Sequence, residues 1–180
     1  MKLINVNETP YLSQFKKLYE DSFPKSEKKP FAMMQKMCCE GRMEMFAIVQ
    51  DECNFAGLAI FAYYEDLVLL DYFAIESEMR GKGLGSGILS AMKEKFADRR
   101  FFLEIESVFE ECPDIENRKR RRKFYMTNDM KSQGYLVSLF GVEMEILSAG
   151  GEIKYEEYEA LYRSIVPEEL LKKIKFIRFI

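Results

Sequence analysis

The stretch Arg80-Gly81-Lys82-Gly83-Leu84-Gly85-Ser86-Gly87 is the part of this chain best suited to holding an anion. Its glycines remove the side chains that would keep a bulky charged group away from the backbone. Beyond it, Leu84, Ile88, Met92 and Phe96 recur every fourth residue, which predicts a helix to about Ala97 with one buried stripe. The first amides of such a helix are unpaired and stand at the positive end of its dipole. Before the glycines, Leu67–Ile75 reads as a nearly continuous apolar strand broken by Asp71, followed by a polar turn. Strand, glycine turn and helix N-terminus together form a phosphate cradle. Two nucleotide signatures fail here. A Walker loop needs Ser or Thr after its lysine, but Lys82 precedes Gly83; a dinucleotide fingerprint begun at Gly81 or Gly83 ends on Ser86 or Ile88.

The chain contains no histidine, so Ser-His and Cys-His nucleophilic catalysis are excluded. Proton transfer must then use carboxylates, tyrosine, cysteine, lysine or water. The cysteines, at 38, 39, 53 and 112, form no C-x-x-C pair, so neither a metal site nor a disulfide framework is expected. In Phe101-Phe102-Leu103-Glu104-Ile105-Glu106, strand alternation turns Glu104 and Glu106 away from the Leu103 and Ile105 face. That second face is either a wet surface or a functional cleft.

Arg80-Gly81-Lys82-Gly83-Leu84-Gly85 matches the pattern Arg/Gln-x-x-Gly-x-Gly/Ala, and in its strand–helix setting it resembles motif A of the GNAT superfamily of acyl-CoA-dependent N-acyltransferases. The resemblance covers roughly residues 1–150. It implies a mixed, mostly antiparallel sheet flanked by helices, an α/β (α+β) fold. It also implies acetyl-CoA as cosubstrate, its pyrophosphate on the amides of Arg80, Gly81, Lys82, Gly83, Leu84, Gly85 and Ser86. Backbone amides at Phe73, Ala74 and Ile75 would serve the acyl group, with Asn117 at a second coenzyme A contact. A glutamate on the strand after the glycine helix serves as base in several branches of the family; Glu104 is the better match, with Asp71, Glu106 and water as alternatives. Tyr125 matches the family's tyrosine, the proton donor to the leaving thiolate. The family continues with glycine four residues on, where this chain has Asp129; Gly134-Tyr135 comes later, so either the turn is extended or the glycine is replaced.

The positioning elements follow in order. Lys2–Val6 is a short strand, and Thr9-Pro10 predicts the start of a helix carrying Tyr11, Leu12, Phe15, Leu18 and Tyr19. A charged linker, residues 25–29, leads to a helix over about 31–40 with Gly41 as its stop. Residues 44–50, 53–64 and 67–75 read as three strands joined by the turns Asp51-Glu52 and Glu65-Asp66. Residues 108–116 read as an acidic loop. The basic run 118–123 then spreads around a helix as solvated charge, because six consecutive positions cannot form one stripe. Residues 135–140 and 142–147 form a hairpin at Gly141. The extension 151–180 packs on the same domain and offers a helix with Tyr155, Tyr158, Leu161 and Tyr162 on one side, then an apolar end. That end could complete the sheet, cap an acceptor cleft or support a homodimer, and its residues do not choose.

The 180 residues suffice for a single core, and 48% hydrophobic content excludes disorder. A net charge of −3 gives no general attraction to nucleic acid or an acidic membrane. No apolar run has transmembrane length and the N-terminus is no signal peptide, so a cytoplasmic protein is expected. The acids at 71, 104, 106, 110, 111 and 114 point to a cationic amine acceptor. The reading is thus acetyl transfer from acetyl-CoA to a primary amine by direct attack in a ternary complex. The alternative is a coenzyme A-binding module of the same fold without turnover.

Overall fold

In the computed structural model, which describes residues 1–25, 27–50, 54–80 and 83–180, the apolar runs fold as strands. The first unit, Met1–Tyr63 with Leu70–Lys95, holds β1 (Lys2–Asn5), α1 (Leu12–Ser22), α2 (Phe31–Cys39), β2 (Met43–Gln50), β3 (Asn54–Tyr64), most of β4 (Leu67–Ile75) and α3 (Leu84–Lys95). The second, Tyr64–Leu69 with Phe96–Ile180, holds the start of β4, then β5 (Arg100–Glu106), α4 (Ile115–Thr127), β6 (Lys131–Leu139), β7 (Val142–Ala149), α5 (Tyr155–Ile165), α6 (Glu168–Leu171) and β8 (Ile174–Phe179). The expected turn Asp51-Glu52, the strand start at Cys53 and the linker residue Ser26 lie outside the described residues.

Strand order is β1-β2-β3-β4 in the first unit and β4-β5-β7-β6-β8 in the second. The pairs β1–β2, β2–β3, β5–β7, β6–β7 and β6–β8 are antiparallel. At the start of β5 the Arg100 amide donates to the Asp66 carbonyl at 3.0 Å, just before β4 begins. The two strands therefore start side by side and run parallel, as a strand–helix–strand connection requires. The result is the expected mixed, mostly antiparallel α/β fold with helices flanking the strands.

Burial follows the predicted faces. Phe15, Leu18 and Tyr19 of α1, Met34 and Met37 of α2, and Ile88, Leu89 and Met92 of α3 belong to the core. In α5, Tyr158, Leu161, Tyr162 and Ile165 are buried. An eleven-residue helix is marginal alone, and burying a large apolar side chain contributes about 1.5–3 kcal/mol, so packing holds it. The last residues choose among the options left open: β8 pairs with β6 and extends the sheet.

Some boundaries differ from expectation. Thr9 does not cap α1. Its hydroxyl donates to the Val6 carbonyl and accepts from the Tyr11 amide, closing a 3-10 turn, and the helix begins at Leu12. Gly134 lies within β6 at a shift in register, with φ of 75°. The end of α4 is settled by Asp129, which takes a left-handed φ of 64° while the Met130 amide donates to the Tyr125 carbonyl. Asp129 thus occupies the place of the family's glycine, and the turn is not extended. Because glycine adopts that conformation without side-chain cost, Asp129→Gly should raise stability by about 0.5 kcal/mol. A urea midpoint that falls instead would contradict this reading of the turn.

Candidate active site

The cradle is built in the first unit. Phe73 and Ile75 are half-buried and Ala74 is buried as β4 ends, and a 3-10 turn over Ser77–Met79 redirects the chain toward α3. The Glu76 amide still donates to the Ala56 carbonyl at 2.9 Å, so the strand end is anchored to β3. That approach depends on Gly57, where a Cβ would lie 2.4 Å from the Ala74 carbonyl oxygen. Arg80 is exposed and folds back, its Nε donating to the Ile75 carbonyl at 2.9 Å. It therefore fastens the turn at the mouth of the cradle.

Gly83 has a φ of 71°, and a Cβ there would meet nothing within 4 Å. It is exposed immediately before Leu84, the first residue of the twelve-residue helix α3. A left-handed glycine facing open space at a helix N-terminus fits a pyrophosphate approaching the backbone. Leu84 and Gly85 are half-buried in the first turn of α3, and Ser86 is exposed. Gly81 and Lys82, also expected here, lie outside the described residues.

Asp71, the polar break in β4, is nearly buried and ion-paired with Lys29, whose Nζ donates to its two oxygens at 2.9 and 2.7 Å. Sequence spacing does not show this partner, because residues 25–29 read only as a charged linker. The signal was there: a lone acid in an apolar strand needs a cation or a set of donors. Tyr72 binds the same segment, accepting from the Lys29 amide and donating to the Glu27 carbonyl. Burial pushes the Tyr72 hydroxyl well above the ordinary tyrosine range, with the Asp71 charge adding to it.

In the second unit, Glu104 is half-buried and faces α5. Its carboxylate accepts from Tyr158 Oη at 2.5 Å and from Tyr162 Oη at 2.8 and 2.9 Å. The extension therefore packs against the second face of β5 at this position, and Glu104 stays half-buried there. Burial, then the Glu104 charge, raises the Tyr158 hydroxyl far above its usual range and Tyr135 in the same sense. Glu106 is bracketed by Arg118 at 2.9 Å and Arg121 at 2.7 Å. Arg122 reaches Glu145, which is fully buried on the opposite face of β5–β7, at 2.7 and 3.0 Å.

The basic run meets these strand carboxylates along one side. Arg118, Arg121 and Arg122 form one stripe paired with carboxylates of β5 and β7, while Lys119 pairs with Glu116 of its own helix and Arg120 and Lys123 are exposed. Asn117 lies in the first turn of α4, which begins at Ile115. Its side chain donates to Asp114 and accepts from Arg120. Tyr125 is half-buried near the end of α4, its ring against Phe124, and burial pushes its hydroxyl up to about 12 with Arg121 opposing. Glu110, Glu111 and Asp114 are exposed. Of the acids that motivated a cationic acceptor, Glu106 is held by arginines, Asp71 by Lys29, and Glu104 by two tyrosine hydroxyls.

The described geometry is thus a strand, a turn and a helix whose N-terminus follows a left-handed, exposed glycine. The chain belongs to the acetyltransferase (GNAT) family, whose model matches residues 12–125. YjbC of Bacillus subtilis (strain 168), an acetyltransferase by provisional name, is 30% identical over 120 residues, 67% of this chain and 57% of that protein. The match thus spans little more than half the length of that relative. A GNAT-family structure from Bacteroides thetaiotaomicron has a TM-score of 0.74 at 18% identity, over 94% of this chain and 97% of that one. Spermidine N-acetyltransferase from Vibrio cholerae, in complex with CoA and spermine, has a TM-score of 0.64 at 15% identity, over 82% and 94%. At these identities the structures establish a shared fold.

Gly57→Ala tests how the cradle is anchored. Its Cβ can be accommodated only by moving the Ala74 backbone, so the variant should lose about 1–3 kcal/mol in thermal unfolding. Wild-type stability would show that the close approach of β3 to the end of β4 is not needed.

Proposed function

We propose that this protein transfers an acetyl group from acetyl-CoA to a primary amine by direct attack in a ternary complex. The observation that carries this is the cradle: left-handed Gly83, open in front, leading into α3 behind a strand anchored by Gly57. Family membership supports acyl transfer. The CoA and spermine bound by the Vibrio cholerae neighbour agree with the ligand classes proposed here.

Each residue then has a role in its own unit. The amides of Gly83, Leu84, Gly85 and Ser86 hold the pyrophosphate, joined by Arg80, Gly81 and Lys82. Amides at Phe73, Ala74 and Ile75 donate to the developing oxyanion. An ammonium of pKa about 10 must lose a proton before it attacks. Glu104 accepts it, directly or through water; hydroxyls of Tyr158 and Tyr162 bind its carboxylate, and Glu106 is bracketed by two guanidiniums. The new bond joins amine nitrogen to acyl carbon, the carbon–sulfur bond breaks, and Tyr125 gives its proton to the thiolate. No protein nucleophile takes part, in keeping with a chain that lacks histidine. Asn117 contributes a contact to the coenzyme at the start of α4. A cytoplasmic setting is consistent with the described residues, where no helix is long and apolar enough to cross a membrane.

The test is release of CoA thiol across a panel of polyamines, aminoglycosides and peptide amines, with Tyr125→Phe beside the wild type. Removing the hydroxyl alone should lower turnover roughly ten- to a thousandfold, as for one general acid, and leave acetyl-CoA affinity unchanged. With its hydroxyl pushed up to about 12, Tyr125 stays protonated through neutral and mildly alkaline pH, so wild-type turnover should not fall between about pH 7 and 10 on its account. Normal turnover in Tyr125→Phe would remove its role as acid. Acetyl-CoA binding without turnover of any amine would favour the non-catalytic coenzyme A-binding module.

A further inference from the structure

We infer that Asp71 and Tyr72 form an ammonium-binding site for the acceptor, and that Lys29 of the same chain fills it until the acceptor displaces it. This rests on the reading of the chain as an acyltransferase with an amine acceptor, and names the acceptor's recognition site. Lys29 Nζ donates to the two Asp71 oxygens at 2.7 and 2.9 Å and stands 5.2 Å from the centroid of the Tyr72 ring. The side chains of Lys29 and Asp71 are only 12% and 5% exposed. Around Tyr72, the rings of Tyr19 and Phe23 both lie with centroids 5.0 Å away. A buried carboxylate and an aromatic face together are what a primary or secondary ammonium binds when it leaves water.

The segment that carries Lys29 does not need its ammonium to stay in place. Tyr72 Oη accepts from the Lys29 amide at 3.1 Å and donates to the Glu27 carbonyl at 2.7 Å. Tyr19 Oη donates to the Lys29 carbonyl at 3.0 Å. All three bonds use the backbone, so the flexible four-carbon stem can swing out while the chain remains docked. Emptying the site would strand a buried carboxylate, which is costly. Exchanging one ammonium for another keeps the charge balanced, so a cationic amine competes with Lys29 where a neutral or anionic acceptor does not.

The place on β4 suits an acceptor. Asp71, Phe73 and Ile75 alternate on one side of the strand and are its half-buried positions, while Tyr72 and Ala74 are buried. Two residues of strand span roughly 6.6 Å, so an ammonium at Asp71 is a short alkyl chain away from the amides proposed to hold the acyl group. The neighbouring Lys28 is no rival, since its ammonium is engaged with the Glu20 carboxylate and carbonyl.

Thermal unfolding without acetyl-CoA tests the site independently of turnover. Lys29→Ala should melt below wild type, and propylammonium chloride should restore it saturably, whereas sodium chloride at equal ionic strength should not. The double variant Lys29→Ala/Asp71→Asn should ignore propylammonium. Spermidine should stabilise the wild type at a half-effect concentration at least tenfold above that for Lys29→Ala, and Asp71→Asn should lose the effect. That last comparison needs no Lys29 variant and decides the matter if Lys29→Ala does not fold. Restoration by sodium alone, no restoration by propylammonium, or a spermidine effect that survives Asp71→Asn would overturn the inference. None of these results depends on acyl transfer, so loss of this site and loss of the transferase reading are told apart.

Discussion

A carboxylate set within a β-strand has to find partners, and three such carboxylates account for how helices and segments dock in this protein. Asp71 of β4 is held by Lys29, Glu104 of β5 by Tyr158 and Tyr162, and Glu145 of β7 by Arg122. Each partner comes from a different part of the chain: the segment before α2, helix α5, and helix α4. Removing one member of a buried ion pair typically costs about 3–5 kcal/mol, so the Asp71 and Glu145 pairs fix registry as well as charge. Glu104 and Glu145 lie on opposite faces of β5–β7, as strand alternation dictates, and are held by α5 and α4 respectively.

The same strands carry the residues proposed for chemistry. β4 bears Asp71 and then the amides of Phe73–Ile75, and it ends where Gly57 lets β3 come close. The turn that follows is fastened by Arg80 on the Ile75 carbonyl and delivers α3 with its N-terminus open beside Gly83. The extension 151–180 is not peripheral to this plan. It supplies both hydroxyls that bind Glu104 and, through β8, a pairing partner for β6.

Much of the fold was legible because its signals are local. Period-two runs gave the strands, the four-residue stripe through Ile88 and Met92 gave α3, and Gly141 marked a hairpin whose turn does take positive φ. The left-handed Gly83 before α3 was legible for the same reason: the requirement is on backbone conformation, and residue type reports it directly. Partnerships between distant residues were not. Nothing in the spacing of residues 25–29 ties Lys29 to Asp71, and the tyrosine stripe of α5 announces a buried face without naming Glu104. Within the run 118–123, the strand carboxylates that bind Arg118, Arg121 and Arg122 are distant in sequence, so the spacing does not show which of the six they select. Asp129 is a different case, where a residue tolerant of left-handed backbone stands in for glycine and leaves the turn intact.

The central claim is that acetyl-CoA binds with its pyrophosphate against the backbone at Gly83 and the first turn of α3. Calorimetric titration of acetyl-CoA into wild type, Gly83→Asn and Gly83→Asp measures this most directly. Both substitutions place a side chain in the open space before the helix and share the strain of a left-handed position, but only aspartate adds a negative charge. The account predicts binding to wild type, weaker binding to Gly83→Asn and none measurable to Gly83→Asp. Wild-type affinity in a folded Gly83→Asp protein would contradict it.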